Sequence, residues 1–323
     1  MAPIATADLQ SNTRVNTKPK AYLIDSYHPE AVARAQQLFD LVLPDSPECK
    51  NWKQAEYLLV RGSRLTAEDI SACRNLRAIG KQGVGVDKID ASACAASGIK
   101  ILNTPGVNAR AVAELVLTLT MALARQVRSI AVRQELGHAV PKEECSGILL
   151  HKCTIGIVGM GNIGKIIAEI FRGSFDSNII AYDPYMGTHA WPDIPHKRVQ
   201  NVEDLFQESD VITLHVPFTS ETQDLISYKQ MQLMKRSAIL INTARGGIVN
   251  EDDLCRALDD RLIWGVGLDC HVQEPPTKEK YSRLWAHPNV LSLPHVGAAT
   301  ATTQRDTAVA AVERLYAYAT RER

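Results

Sequence analysis

The chain is predicted to be an α/β protein of two Rossmann-like, doubly wound parallel-sheet domains with a cleft between them. Three observations predict it. Short apolar runs of strand length alternate with helical stretches along most of the sequence. The alternation breaks once, at Asn103-Thr104-Pro105-Gly106, and restarts near residue 154. The length, 323 residues, suits two cores at about 100–200 residues per domain.

Taken in order, residues 1–20 are polar, lack the apolar core of a signal peptide, and read as a loose tail. Residues 21–25 (AYLID), 57–60 (YLLV), 78–80 and 99–102 are strand candidates. Residues 29–39, 66–71 and 90–97 carry helical spacing, and Thr66 followed three residues later by Asp69 resembles a helix-start signature. Past Gly106 one long apolar helix is expected over about 109–127, then a polar, irregular segment over 134–146. Later strand candidates are 154–159, 179–182, 211–214, 238–242, 265–269 and 290–293, with a last helix over 302–319. The expected division is a substrate-binding domain of 21–106 with 297–323, and a cofactor domain of 107–296.

Composition narrows the function classes. Lys plus Arg and Asp plus Glu number 36 each, so no net field gathers nucleic acid or an anionic membrane, and neither partner is expected. The seven cysteines are scattered, with no Cys-x-x-Cys pair, which disfavours a disulfide framework or a metal site and suggests a reducing, cytoplasmic setting. The most apolar stretch, 111–124, is shorter than the roughly 18–20 residues of a membrane span and contains Glu114.

The sharpest local signal is 154–164 (TIGIVGMGNIG), an apolar strand running into Gly-x-Gly-x-x-Gly with a helix opening behind it. Gly159 permits the tight turn, Gly161 lets backbone approach a pyrophosphate, and Gly164 lets helix and strand pack closely, with the phosphates at the positive helix end. The second strand ends in Asp183, about 20 residues on, where a carboxylate would accept from ribose hydroxyls and repel a 2′-phosphate. That argues for NAD; the plainer reading of Asp183, before Pro184, is a turn-former.

Three further polar residues stand at predicted strand ends, where ligands bind in open α/β sheets: Arg245, Glu274 and His295. A guanidinium presents a planar fork to a carboxylate. An imidazole suits proton transfer near neutral pH, and a carboxylate behind it fixes the tautomer. This set fits hydride transfer at a secondary alcohol beside an acid group.

At these residues the chain resembles the D-isomer-specific 2-hydroxyacid dehydrogenases, most closely their 3-phosphoglycerate dehydrogenase branch. The similarity rests on VRGS at 60–63, GVGVD at 83–87, NTPGVN at 103–108, AVAE at 111–114 and the glycine motif. It continues through HVP at 215–217, NTARGGIV at 242–249, Leu268-Asp269, EPP at 274–276 and PHVGA at 294–298. The resemblance implies that Arg245, Glu274 and His295 are catalytic and that NAD is held by Gly159, Gly161, Asn162, Ile163, Gly164 and Asp183. It implies that His215, Val216, Pro217 and Thr243 line the cofactor channel and that Asp269 bonds the nicotinamide carboxamide. Val84 and Gly85 would bind the substrate carboxylate together with Arg245, with Arg61 and Lys81 nearby as phosphate-binding cations. A homodimer is implied through the long helix from Ala109 and the polar arm after it.

The resemblance is incomplete. Where the phosphoglycerate branch carries a Gly-x-Trp-x-Arg-like stretch, this chain reads GHAVP at 137–141, so one phosphate cation is missing. The chain ends soon after the last predicted helix, so the regulatory extensions of longer relatives are not expected. The alternatives are a glyoxylate or hydroxypyruvate reductase and, from another class, an NAD-sensing corepressor-like binding protein. A formate dehydrogenase fits less well, because its chemistry needs no acid–base pair.

Overall fold

A computed structural model describes residues 18–321; most of the tail expected over 1–20 lies outside the described residues. The chain forms two compact units, one of residues 18–82, 86–103 and 308–321, the other of 83–85 and 104–307. The chain's return to the first unit thus falls at 308, inside the last helix, rather than at 297.

The first unit holds β1 (Lys20–Leu23), α1 (Pro29–Leu38), β2 (Asp40–Val42), β3 (Tyr57–Val60), α2 (Ala67–Ala72), β4 (Ala78–Lys81), α3 (Ala91–Ala96) and β5 (Lys100–Leu102). All five strands are parallel, in the order β2-β1-β3-β4-β5. This is the flavodoxin-like order, whose switch point lies between β1 and β3. Alternation along the strands sends Ala21, Leu23, Tyr57 and Leu59 to one core and Tyr22, Leu58, Val60 and Ile79 to the other. Helices therefore cover both faces, as a buried parallel sheet requires. The Thr66 signature is a complete capping box: Thr66 Oγ1 accepts from the Asp69 amide at 3.2 Å, and Asp69 Oδ2 accepts from the Thr66 amide at 3.1 Å.

The second unit opens on α4 (Ala109–Ala124) and α5 (Val127–Glu135). The sequence pattern predicts one helix here. The chain instead breaks at Arg125 and Gln126, with Gln126 left-handed at φ 54°, and the axis turns by 61°. Eight residues of α4 are buried and none of α5. No single helix among the described residues is long and apolar enough to cross a membrane; the bent pair reaches that length only together.

Then follow β6 (Thr154–Val158), α6 (Asn162–Phe175), β7 (Asn178–Tyr182), β8 (Lys197–Arg198), α7 (Val202–Glu208), β9 (Val211–Leu214), α8 (Tyr228–Leu233) and β10 (Ile239–Asn242). The unit is completed by α9 (Glu251–Asp259), β11 (Gly265–Leu268), α10 (Lys278–Ala286) and β12 (Val290–Ser292); α11 (Ala301–Arg321) ends the chain. The strands are parallel, in the order β12-β11-β10-β9-β6-β7-β8. The chain winds outward from β6 through β7 to β8, then returns to β9 and winds the other way. Its switch point therefore lies between β6 and β9. Ile155, Ile157, Ile179 and Ile241 face α4 and α6, while Val158, Ile180, Ile212 and Leu240 face the opposite core. Because every strand is parallel, the loops after β6, β7, β9, β10, β11 and β12 all leave from one edge of the sheet.

Candidate active site

The glycine loop follows β6. Gly159 sits at φ 102°, a conformation that side chains rarely adopt, and a Cβ there would lie 2.4 Å from the His215 carbonyl oxygen. A Cβ on Gly161 would meet nothing within 4 Å, so that position opens onto space at the sheet edge. Gly161 is also the N-cap of α6, and no side chain caps the helix or places an acid in its first turn. Asn162 is exposed, Ile163 half-buried and Gly164 buried. Two buried polar atoms on the neighbouring strand ends have no protein partner, His215 Nδ1 beyond β9 and Thr243 Oγ1 beyond β10. An uncapped helix end, an open glycine and two orphaned polar atoms at one switch point fit a dinucleotide.

Asp183 follows β7 and combines the two readings open to it. Its Oδ2 accepts from the Met160 amide at 2.9 Å, tying it to the glycine loop. Its Oδ1 accepts from the amides of Tyr185 (2.9 Å) and Met186 (3.1 Å), so it also forms the turn. His215 turns inward, with Nε2 2.8 Å from Thr213 Oγ1. Burial pushes its pKa down to about 3, which leaves it neutral at physiological pH. Val216 is half-buried and Pro217 exposed.

The loops after β10, β11 and β12 carry Arg245, Glu274 and His295 on three adjacent strands. Asn242, 1% exposed, shapes the first loop: its Oδ1 accepts from the Ala244 amide (3.0 Å) and its Nδ2 donates to the Arg245 carbonyl (2.8 Å). Arg245 is half-buried, with Nη1 donating to the Ala244 carbonyl at 2.6 Å. Gly246 lies so close to the 271–272 backbone that a Cβ would fall 2.0 Å from the His271 carbonyl. The first two loops are thus packed backbone to backbone.

Glu274 and His295 meet. His295 Nδ1 lies 3.0 and 3.1 Å from the two carboxylate oxygens, with the side chains 44% and 35% exposed. Burial works to raise the pKa of Glu274; the His295 hydrogen bond and charge, helped by the His271 amide at 3.3 Å, overcome it and hold the carboxyl below its usual range. His295 itself has φ 60°, a left-handed backbone that turns its side chain onto Glu274. Asp269 enforces that turn. Its oxygens accept from the amides of Val296 and Gly297, each at 2.7 Å. Burial raises its pKa and those two amides oppose the rise. Its carboxylate, expected to meet the nicotinamide carboxamide, is thus engaged in holding the histidine loop.

Sequence reasoning missed the braces behind Glu274. Glu251 accepts from the Val272 amide (2.8 Å) and from the Tyr281 hydroxyl, which in turn accepts from the Gln273 amide (3.0 Å). His271 Nε2 lies 2.8 Å from Ser292 Oγ and links the second loop to β12. Glu251 and Tyr281 are 30 residues apart, and no local spacing marks them as a pair.

In the first unit Lys81 is engaged by backbone carbonyls. It is 8% exposed, and its ammonium donates to the carbonyls of Arg61 (2.7 Å) and Gln82 (2.6 Å). Lys81 therefore braces the loop that carries Arg61, whose own residue is exposed. Asp25, at the end of β1, shapes the same loop. It accepts from the amides of Arg61 (2.5 Å), Gly62 (2.9 Å) and Ser63 (3.1 Å) and from Ser63 Oγ (2.7 Å). Val84 and Gly85 follow a reciprocal pair of hydrogen bonds between Gly83 and Thr104, both 3.0 Å, and Val84 is 38% exposed.

Comparison with known proteins places this geometry. Residues 117–297 match the model of the D-isomer specific 2-hydroxyacid dehydrogenase NAD-binding domain. A hydroxypyruvate reductase of Thermotoga maritima is 38% identical over 264 residues, 81% of this chain and 84% of that protein. A D-3-phosphoglycerate dehydrogenase of Methanocaldococcus jannaschii is 33% identical over 92% of this chain, but the match takes in only 56% of that protein. Among solved structures, the TT0316 protein of Thermus thermophilus superposes with a TM-score of 0.81 at 31% identity, over 93% of this chain and 97% of that one.

Proposed function

Because this chain belongs to the D-isomer specific 2-hydroxyacid dehydrogenases and is an NAD-dependent oxidoreductase, we propose that it interconverts a small, unphosphorylated 2-keto acid and its D-2-hydroxy acid. The observation that carries the chemistry is the Glu274–His295 pair, with Nδ1 3.0 Å from the carboxylate. With Nδ1 bonded to Glu274, Nε2 is the atom left for a substrate oxygen. His295 takes the hydroxyl proton in one direction and returns it in the other. Glu274 keeps the ring in that tautomer and stabilises its charged form. Arg245, on the adjacent strand end, holds the substrate carboxylate beside the forming carbonyl. Bound NAD supplies the hydride acceptor, and residues 159–164, Asp183 and Thr243 hold it at the switch point between β6 and β9.

The choice of an unphosphorylated acid rests on Lys81. A phosphate needs concentrated positive charge, and this ammonium is buried against two carbonyls. The hydroxypyruvate reductase similarity over most of both chains supports the same choice. A second reading, a phosphoglycerate dehydrogenase-like activity, is favoured by the exposed Arg61 in its VRGS segment. We further propose a homodimer through α5, none of whose residues is fully buried and which exposes Val127, Val132 and, at its end, Leu136.

The test is NADH absorbance with purified protein. It compares glyoxylate, hydroxypyruvate and phosphohydroxypyruvate with NADH, and the D- and L-hydroxy acids with NAD. Turnover of hydroxypyruvate or glyoxylate is expected, with loss of roughly two to four orders of magnitude in His295→Ala. Preference for the phosphorylated acid would establish the second reading. NADH binding without any turnover would refute both and favour a nucleotide-sensing role. Light scattering checks the dimer, which Leu136→Glu together with Val132→Glu is expected to dissociate.

A further inference from the structure

Cys270 is the second residue past β11, between Asp269 and His271, and nothing in the proposed reaction uses it. Its Sγ is buried and donates to the Ala244 carbonyl at 3.3 Å. One ligand atom from each of Cys270, Glu274 and His295 lies within 4.8 Å of the others. A sulfur, a carboxylate oxygen and an imidazole nitrogen are the donors that borderline-soft divalent cations prefer over magnesium or calcium.

The geometry points to an inhibitory site for a zinc-class cation, and we propose that Zn2+ binds Cys270, Glu274 and His295 and blocks the active site. The nitrogen–oxygen separation fits. Tetrahedral zinc with bonds of about 2.0–2.1 Å to nitrogen and oxygen holds those atoms roughly 3.3 Å apart. His295 Nδ1 and Glu274 stand 3.0–3.1 Å apart, so zinc replaces the proton they share with little movement. Sulfur at about 2.3 Å from zinc requires the cluster to draw in from its present spread. Glu274 and His295, both on the exposed side, make that adjustment. On binding, the Cys270 thiol releases its proton to solvent and the proton on His295 Nδ1 passes through solvent to Nε2, so the ring stays neutral; no redox change is involved. Water would fill the fourth position of a tetrahedral site. The bound cation removes the carboxylate and the imidazole from proton transfer together, so the inhibitory step rests on the acid–base roles proposed above, whereas the binding step does not.

The experiment titrates Co2+ into the full-length protein kept reduced with a phosphine, and reads the thiolate-to-cobalt charge-transfer absorption. Zn2+ inhibition of NADH turnover is measured in parallel on the parent and on Cys270→Ala and Cys270→Ser. The parent is expected to show the band and to lose it when Zn2+ is added. Both variants are expected to keep parental turnover, to lack the band, and to need at least about tenfold more Zn2+ for half-inhibition, as loss of one of three protein ligands implies. A band that is missing in the parent, or that persists in both variants, overturns the site while leaving the acid–base pair untouched. A Cys270-dependent band without loss of turnover overturns the inhibition and counts against the roles of Glu274 and His295.

Discussion

Replacing Glu274 with glutamine removes one charge and keeps the shape, which isolates what the carboxylate contributes to His295. The contact is a charge-assisted hydrogen bond at 3.0–3.1 Å. Such bonds contribute about 1.5–3 kcal/mol, and partial exposure of both partners confines this one to the lower end, about 1.5–2 kcal/mol. At about 1.36 kcal/mol per decade, kcat falls roughly ten- to thirtyfold. The loss is expected in kcat, because the substrate carboxylate is proposed to meet Arg245 rather than Glu274, so KM for the keto acid is expected to stay within about twofold. Steady-state NADH oxidation with the best acid of the panel measures both constants. The decisive control is the pair of variants together. If Glu274 acts through His295, Glu274→Gln costs almost nothing once His295→Gln is in place. Parental kcat in Glu274→Gln, or losses that multiply in the double variant, would refute the positioning argument.

With Asp183 at the ribose as proposed, Asp183→Ala removes a carboxylate there, and a repulsion of about 1–2 kcal/mol toward a 2′-phosphate goes with it. The NAD over NADP preference in kcat/KM is expected to narrow about tenfold, and an unchanged ratio would assign Asp183 to the turn alone. Gly161→Ala and Gly159→Ala separate binding from folding. The first adds a methyl to open space, so its melting temperature is expected to hold while NADH affinity, read by fluorescence, drops. The second meets the His215 carbonyl at 2.4 Å and a positive φ, and is expected to lose about 1–3 kcal/mol of stability in chemical denaturation. Asp25→Asn is expected to cost about 2 kcal/mol at neutral pH. Burial pushes the pKa of Asp25 up, but the Ser63 hydroxyl and the amides of Arg61, Ser63 and Gly62 bring it below the usual range. A depressed folded pKa stabilises fully above the ordinary carboxylate range and loses that stability as pH falls through the folded value. The deficit of the variant is therefore expected to shrink in acid; a deficit constant from neutral to acid pH would show that the carboxylate charge is not what holds the loop.

The parts of this molecule legible in its sequence are those encoded by neighbours along the chain. Tyr57–Val60 and Val211–Leu214 read as strands because both faces of a parallel strand are buried, which leaves an unbroken apolar run. The glycine motif and the Thr66 box read for the same reason: each places its whole physical requirement within eleven residues or fewer. The parts that are not legible depend on partners far away in sequence. Asp40–Val42 and Lys197–Arg198 are edge strands of three and two residues, too short for a pattern, and they exist because β1 and β7 offer an unpaired side. The helices α7 and α8, of seven and six residues, are too short for a periodic pattern to mark them.

The site divides along the same line, and Asp269 and Lys81 show the division, each engaged by backbone groups close by. Arg245, Glu274 and His295 stand out because chemistry limits which side chains serve at strand ends. The demands on Asp269 and Lys81 are set by backbone groups, and backbone groups leave no mark in a sequence. Asp269 accepts from two amides of a loop 27 and 28 residues away, and those amides directly follow the left-handed His295 at φ 60°. The carboxylate thus supports the left-handed turn that aims His295 at Glu274. Lys81 and Asp25 do the equivalent in the first unit, one through carbonyls and the other through amides, both bracing the 61–63 loop. In each case a charged side chain is engaged in making a loop rigid. A charged residue at a strand end is therefore ambiguous until the unpaired backbone groups around it have been counted.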